Sequence, residues 1–524
     1  MQNPYLCRAM RKFVCTIICA VLANFAEAQQ QTVERPLLVV GVSVGHLNEA
    51  YLSMYWSNMG SGGFRRLAES GTAFEDGRYA YYSTSDLVDV VTVATGAEPV
   101  QHGVQSEKSY QTKTGKFEWT AQDKSVTAIN GSWRISGRVL PVTTLADELF
   151  ESTYGQSKIV SIAADPQISS LQAGHCGLAL WLDNLKGTWA SSSYYASKLP
   201  AWATRKSADD YLSQTWEPKF PLSYYMAYAD KKKYAFKYNL KDVCANGRIY
   251  ENFVTTPMAN TAVRELAEAA IQNEKMGADL NPDLLLLHFS LQPFFKSDGA
   301  AGYEVEDAYL RLDGELESLM KMLDRQVGKG KWLLYLTGSR SVPDYRRSVN
   351  EKLPAESFCS ERYATLLNSY LMALYGQNKW VTGYNAGRIY LNRKLIGEKN
   401  LSLKEMQEKS VEFFALIPGV ADVSTSYRLA DTMSGDGSLQ LPFSRYSEAD
   451  LYFRLAPGWY EVDMKGIATG FQSTTDRSVL FYLCGWKIEN RVVREPVEVL
   501  GLTGSLVKWL GLMPPSGSTG ARLP

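Results

Sequence analysis

Residues 333–340 read LLYLTGSR. Leu333, Leu334, Tyr335 and Leu336 suit a strand buried on both faces, and Thr337, Gly338, Ser339 and Arg340 follow as the turn at its carboxyl end. Continuous apolar strands of this kind belong to sheets covered by helices on each side. WLLYLTG (332–338) has three companions: PLLVVGVSVG (36–45), DLLLLHFSL (283–291) and VLFYLCGW (479–486). Helical spacing fills the intervals. GGFRRLAESG (62–71) closes on a glycine, and EVEDAYLRLDGELESLMKMLDRQVGKG (304–330) sets Tyr309, Leu310, Leu316, Leu319 and Leu323 on one face. Strands alternating with helices predict an α/β fold, a central and mostly parallel sheet between helices. Chemistry in such folds gathers in the loops past the strands' carboxyl ends. A serine and an arginine are unexpected there, because neither is a typical metal ligand or base.

The chain has 524 residues, 45% of them hydrophobic and 21% charged, which is globular composition. Formal net charge is zero and no basic tail is present, so nothing favours nucleic acid. Arg8, Arg11 and Lys12 precede a short apolar run from Phe13 to Phe25 and a small-x-small site, Ala26-Glu27-Ala28. This is the pattern of a signal peptide over residues 1–28, too short to span a bilayer. A soluble periplasmic or secreted protein is expected, with no transmembrane segment after cleavage. The mature chain would keep 52 basic and 54 acidic residues and four cysteines, Cys176, Cys244, Cys359 and Cys484. Four cysteines so far apart fix no disulfide pairing.

A core is expected over 29–344, with an aromatic, irregular insertion at about 175–250 in which WASSSYYASKLPAWA reads as surface. An inserted α+β cap subdomain follows over 345–455, carrying the amphipathic helix SLKEMQEKSVEFFAL (402–416). Residues 456–524 return to the core.

His46, His102, His175 and His288 are the only histidines, and no pair has HxH or HxxxH spacing. There is no CxxC, GxSxG or P-loop. His288, inside an apolar strand, reads as a core histidine. YYSTSDLVDVVTVATGAEPVQHGV (81–104) resembles a nucleophile loop, since a hydroxyl at a helix N-terminus sits in an anion-favouring field. Ser83, Thr84, Ser85 and Asp86 equally supply an ordinary N-cap.

Together GGFRRL, TGAEPVQHGV, LQAGHCG, TWASSSYYASKLPAW, GRIYLNRKLI, LAPGWYE and GLMPPSGSTGARL occur in an order that resembles the exported, phosphate-irrepressible alkaline phosphatases. These lie within the alkaline phosphatase/nucleotide pyrophosphatase-phosphodiesterase superfamily. The resemblance implies an alkaline-phosphatase-like core and a site of two zinc ions held by three Asp and three His, with a Thr or Ser nucleophile between them. Carried over position by position, the ligands fall on Gly45, Pro293, Ser297, Ser339, Arg340 and Ser478. The nucleophile falls on Asp86, and the phosphate contacts fall near Glu107, Asp165 and Gln167. His102 and His175 match non-ligand histidines, and His46 matches a glutamine.

By this mapping all six ligands and the nucleophile are replaced. No zinc or other cofactor is then expected, and Asp86, Glu107 and Asp165 oppose a phosphate. A rearranged site from His46, Asp86, Asp89 and Asp298 is conceivable, and Arg340 could pair with Asp86 in place of the metals. Two readings follow: a catalytically inactive exported binding or scaffold protein with a protein partner in the cell envelope, or an active metal-dependent phosphomonoesterase or phosphodiesterase with a non-standard site. A cleft that takes a small ligand or glycan through its aromatics is a third.

Overall fold

Every side chain of Leu38–Val40 and those of Val42 and Val44 are fully buried. They belong to β1 (Leu38–Gly45), which runs through the middle of the main sheet. The computed structural model describes residues 35–524 except 82–84, 112–113, 227–235, 246–247, 293–301, 340–355, 433–448, 457–458, 465–467 and 471–477. The other main strands are β2 (Thr72–Arg78), β3 (Ala128–Ile129), β4 (Ile159–Ala163), β5 (Leu178–Leu182), β6 (Trp189–Ser192), β7 (Asp283–Ser290), β8 (Trp332–Gly338), β9 (Ser478–Gly485) and β10 (Arg491–Val493). Their order is β10-β2-β9-β8-β1-β7-β4-β5-β6-β3. The five strands β8-β1-β7-β4-β5 are mutually parallel, and β9 lies antiparallel beside β8. This is the expected α/β architecture.

Alternation along each strand divides the core in two. Val40, Val42, Val44, Leu285, Leu287 and Phe289 pack on one face. Val39, Leu284, Leu286, Leu333 and Tyr335 pack on the other. The second face is covered by α1 (Asp86–Thr95), α2 (Leu145–Ser152), α3 (Pro166–Gln172) and the late helix Leu500–Leu510; the first by Pro257–Asn273 and α4 (Tyr303–Leu323). Each fully buried Val or Leu contributes about 1.5–3 kcal/mol, so the central strands anchor the fold. The 304–330 pattern runs as one helix to Leu323 and continues as a single π turn, Asp324–Gly328.

Both ends of the stretch read as surface are core, while Ser193, Ser197, Lys198 and Ala201 between them are exposed. Trp189–Ser192 is β6, buried throughout and paired with β5, and Trp202 and Ala203 are buried as well. Its serines misled because their hydroxyls are satisfied internally: Ser191 Oγ donates to the Ala179 carbonyl at 2.7 Å and Ser192 Oγ to that of Ile135 at 2.6 Å. Buried hydroxyls so paired cost little. The aromatics beyond are tied down by Asp307 of α4, whose carboxylate accepts from Trp216 Nε1 at 2.7 Å, Tyr225 Oη at 2.6 Å and the Lys219 amide at 2.7 Å.

Residues 358–455 hold a hydrophobic cluster of their own, built on Phe358, Leu367, Trp380, Met406, Phe414 and Phe453. It leans on the segment before Trp119. Asn385 Nδ2 donates to the Lys108 carbonyl at 2.8 Å, and Tyr390 packs on Tyr110 and Phe117. Cys244 and Cys484 are buried, Cys359 is half-buried and Cys176 exposed, all four as free thiols.

Candidate functional site

Parallel register lines up the strand ends. Ser43 on β1 pairs with His288 on β7 and Thr337 on β8, and Gly45 pairs with Ser290. By parity Ser43, Gly45 and His288 face the helix side that carries Leu284 and Leu286. There α1 begins, with Ser85 at its N-cap and Asp86 as its first residue.

Gly45 makes the corner possible. A Cβ on it would fall on Asp86 Oδ2 and stand 3.2 Å from His288 Nε2. The Asp86 carboxylate therefore occupies the room that a longer side chain at 45 would need. The next residue, His46, has φ +60°. Its backbone N–H donates to Ser339 Oγ at 3.1 Å, and its ring turns towards Asp86, with Nδ1 3.4 Å from Oδ2. That nitrogen is buried and has no hydrogen-bond partner among the described residues. His288 is 5% exposed, and its Nδ1 lies 2.8 Å from Ser43 Oγ. Burial pushes its pKa down to about 4, against the pull of Asp86. At neutral pH the ring is uncharged.

Two further acids stand within electrostatic reach. Burial raises the pKa of Asp165, and Asp86 raises it further; its Oδ1 also caps α3 by accepting the Ile168 amide at 2.9 Å. Glu107 remains exposed at the rim, yet the surrounding protein bulk, then Asp165 and Asp86, push it up to about 7. Among the described residues the corner is thus acidic and short of hydrogen-bond donors. Gln167 is drawn away from it, because its Oε1 accepts the Ala121 amide at 3.0 Å in the core.

Of the positions inferred from sequence, the structure gathers Gly45, Asp86 and Ser339 with His46, and places Glu107 and Asp165 within charge range of Asp86. The backbone of Ser478 opens β9 opposite Arg78. Pro293, Ser297, Arg340, Ser83, Thr84 and Asp298 lie outside the described residues. Asp89 is buried and accepts from Tyr81 Oη at 3.2 Å. His102 is buried against Thr92, and His175 is locked on Asp147. Among the described residues no group of three or more His, Cys, Asp or Glu is spaced to hold a metal ion.

His288 is buried as expected, but it is not only core. Its Nε2 looks onto the Gly45–Asp86 corner. The missed signal was parity: His288 stands two residues before the end of β7, in register with the polar Ser43 and Thr337.

The comparisons agree with this geometry at the level of the fold. A solved structure of wild-type alkaline phosphatase PafA superposes with a TM-score of 0.82 at 24% identity, over 93% of this chain and 98% of that one. Among curated relatives, the alkaline phosphatase PhoV of Synechococcus elongatus is 26% identical over 97% of this chain and 98% of its own. A protein of Myroides odoratus described as a calcium-transporting ATPase is 27% identical over 98% of each chain. The pattern of the type I phosphodiesterase / nucleotide pyrophosphatase family matches residues 39–472. With that match spanning most of the chain, and the strand-end corner lying inside it, this protein belongs to the type I phosphodiesterase / nucleotide pyrophosphatase family, within the alkaline phosphatase superfamily.

Proposed function

We propose that this chain is a catalytically silent member of its family, an exported binding or scaffold component of the periplasm or cell envelope. One observation carries the reading. At the first strand end, where the resemblance implies a metal-binding Asp, Gly45 stands, and Asp86 fills the space that an Asp side chain there would need. The two substitutions are matched to each other. An anionic carboxylate has replaced a neutral hydroxyl at the nucleophile position, and it repels a phosphoryl group that the hydroxyl would attack.

Ser339 supports the same reading. Its hydroxyl is engaged by the His46 amide at 3.1 Å, and a neutral serine is a poor zinc ligand. The residues described at these positions do not supply the Asp and His donors that zinc takes in the family, so no catalytic step is routed through metal here. In this reading residues 1–28 are removed on export, 29–344 with 456–524 form the core, and 345–455 form the cap. No helix among the described residues is long and apolar enough to cross a membrane. The partner would be an envelope protein.

The test is metal content together with turnover. Elemental analysis of the purified protein should give no stoichiometric zinc, and p-nitrophenyl phosphate and bis-p-nitrophenyl phosphate should be hydrolysed no faster with added zinc than without. Hydrolysis that a chelator abolishes would establish the family's hydrolase chemistry instead.

A further inference from the structure

Three polar groups converge above Gly45, and no hydrogen bond joins them among the described residues. His46 Nδ1 is buried and unbonded among the described residues, and stands 3.4 Å from Asp86 Oδ2 without a hydrogen bond. Asp86 Oδ2 and His288 Nε2 flank one point, the place of the missing Gly45 Cβ. The ring of His288 is 5% exposed, and its other nitrogen is taken by Ser43.

Hydrogen-bond accounting sets the tautomer of His288. Ser43 Oγ lies 3.2 Å from the Leu287 carbonyl and 2.8 Å from His288 Nδ1. A hydroxyl has one proton and two lone pairs. If that proton goes to the Leu287 carbonyl, Ser43 accepts from Nδ1–H and all three groups are satisfied. Nε2 is then left with a lone pair facing the corner. The opposite tautomer would draw the Ser43 proton to Nδ1 and take it from the Leu287 carbonyl.

An acceptor-lined corner of negative charge calls for a donor of positive charge. Asp86, Glu107 and Asp165 turn away an anion. A zinc ion needs several ligand atoms at about 2.0–2.2 Å around one centre, and no such group occurs among the described residues. A primary ammonium has three N–H donors and binds at ordinary hydrogen-bond lengths of about 2.7–3.2 Å. We propose that the corner of His46, Asp86 and His288 binds a primary ammonium group, with Asp86 as counter-ion and His288 Nε2 as acceptor. This rests on reading the site as a binding site and names the class of ligand it takes.

The test uses the full mature protein labelled with ¹⁵N-histidine, whose four imidazoles are few enough to assign. His288 should report an unprotonated Nε2 at neutral pH. Methylammonium chloride at millimolar concentration should shift the His288 and His46 resonances saturably and leave His102 and His175 in place. The apparent Kd should rise at least tenfold in Asp86→Asn. Nα-acetyl-lysine methylamide forms a second arm. Binding tighter than methylammonium assigns the ammonium to a protein lysine, and weaker binding assigns it to a free amine.

A protonated Nε2, or no saturable shift in the wild type, would overturn the proposal. So would displacement by inorganic phosphate or zinc chloride at equal concentration. A response that appears only in Arg340→Ala would overturn it in favour of the chain's own guanidinium. Chelator-sensitive ester turnover is a separate readout. It would defeat the silent-enzyme reading without touching the ammonium titration.

Discussion

Among the described residues two Asp–His pairs lie on the same side of the main sheet, and they are built in opposite ways. Asp147 on α2 is saturated. Its carboxylate accepts from His175 Nδ1 at 2.8 Å, the His175 amide at 2.6 Å, the Cys176 amide at 3.2 Å, and both the amide and hydroxyl of Thr144, at 2.8 and 2.9 Å. Asp86 on α1 stands 3.4 Å from His46 Nδ1 and makes no hydrogen bond to it. The first pair is a staple that joins a helix N-terminus to the turn before β5. The second stands at ion-pair distance with no hydrogen bond on His46 Nδ1 among the described residues, which a fold tolerates where a ligand completes the set. Residue type does not separate structure from function here; hydrogen-bond saturation does.

The largest expected effect breaks the second pair. Gly45→Asp restores the acid that the family resemblance places there, but sets it on Asp86. Two carboxylates in one space should cost about 4 kcal/mol or more. Chemical denaturation should show this, and Gly45→Asp/Asp86→Ser should recover most of the loss. Should the single variant prove as stable as the wild type, the matched-substitution argument would fail.

Next come the two aspartates themselves. Asp147→Ala removes an acceptor of several buried donors and should destabilise by about 3 kcal/mol. Asp86→Asn should be neutral or slightly stabilising, within about 1 kcal/mol, because it relieves repulsion with Asp165 and Glu107. Equal losses at the two sites would erase the distinction between staple and corner.

Stability against pH sharpens the contrast further. Burial alone would raise the pKa of Asp147, but the hydrogen bonds from His175 and Thr144 outweigh it and hold the carboxyl low. The hydrogen bond to Asp147 raises the pKa of His175. The His175 contribution is therefore fully present below its unfolded pKa of about 6.5 and fades as pH rises through the raised folded value. The Asp147 contribution is present above about 3.9 and fades as pH falls through the lowered folded value. The staple should stabilise most between about pH 4 and 6.5. His175→Ala should lose more stability at pH 6, inside that window, than at pH 9, above it.

The smallest effect is spectroscopic. His288 should titrate near 4, and Asp86→Asn should lower that value, since Asp86 is what pulls it up. A rise in Asp86→Asn would mean that the two groups do not face each other.

The four buried strands and their covering helices were legible because a strand buried on both faces is written as a continuous apolar run, which no later packing step can disguise. The family motifs, taken in order, pointed to Gly45, Asp86, Glu107, Asp165 and Ser339. Other features were hidden. Trp189–Ser192 looked like surface because serine reads as polar, and only the Ala179 and Ile135 carbonyls reveal where its hydroxyls go. His288 looked like core because the strand around it is apolar, and only the parallel register with β1 turns it onto Asp86.

Sequence by itself determined which atoms are present at the strand ends: a glycine, two histidines, a serine and three carboxylates. It did so because covalent identity does not depend on folding. Tertiary structure alone decided which of them meet, that Asp86 takes the space above Gly45, and that one Asp–His pair closes on itself while the other stays open. Those outcomes depend on distances of a few ångströms between residues separated by tens to hundreds of positions, and only the packed sheet sets such distances.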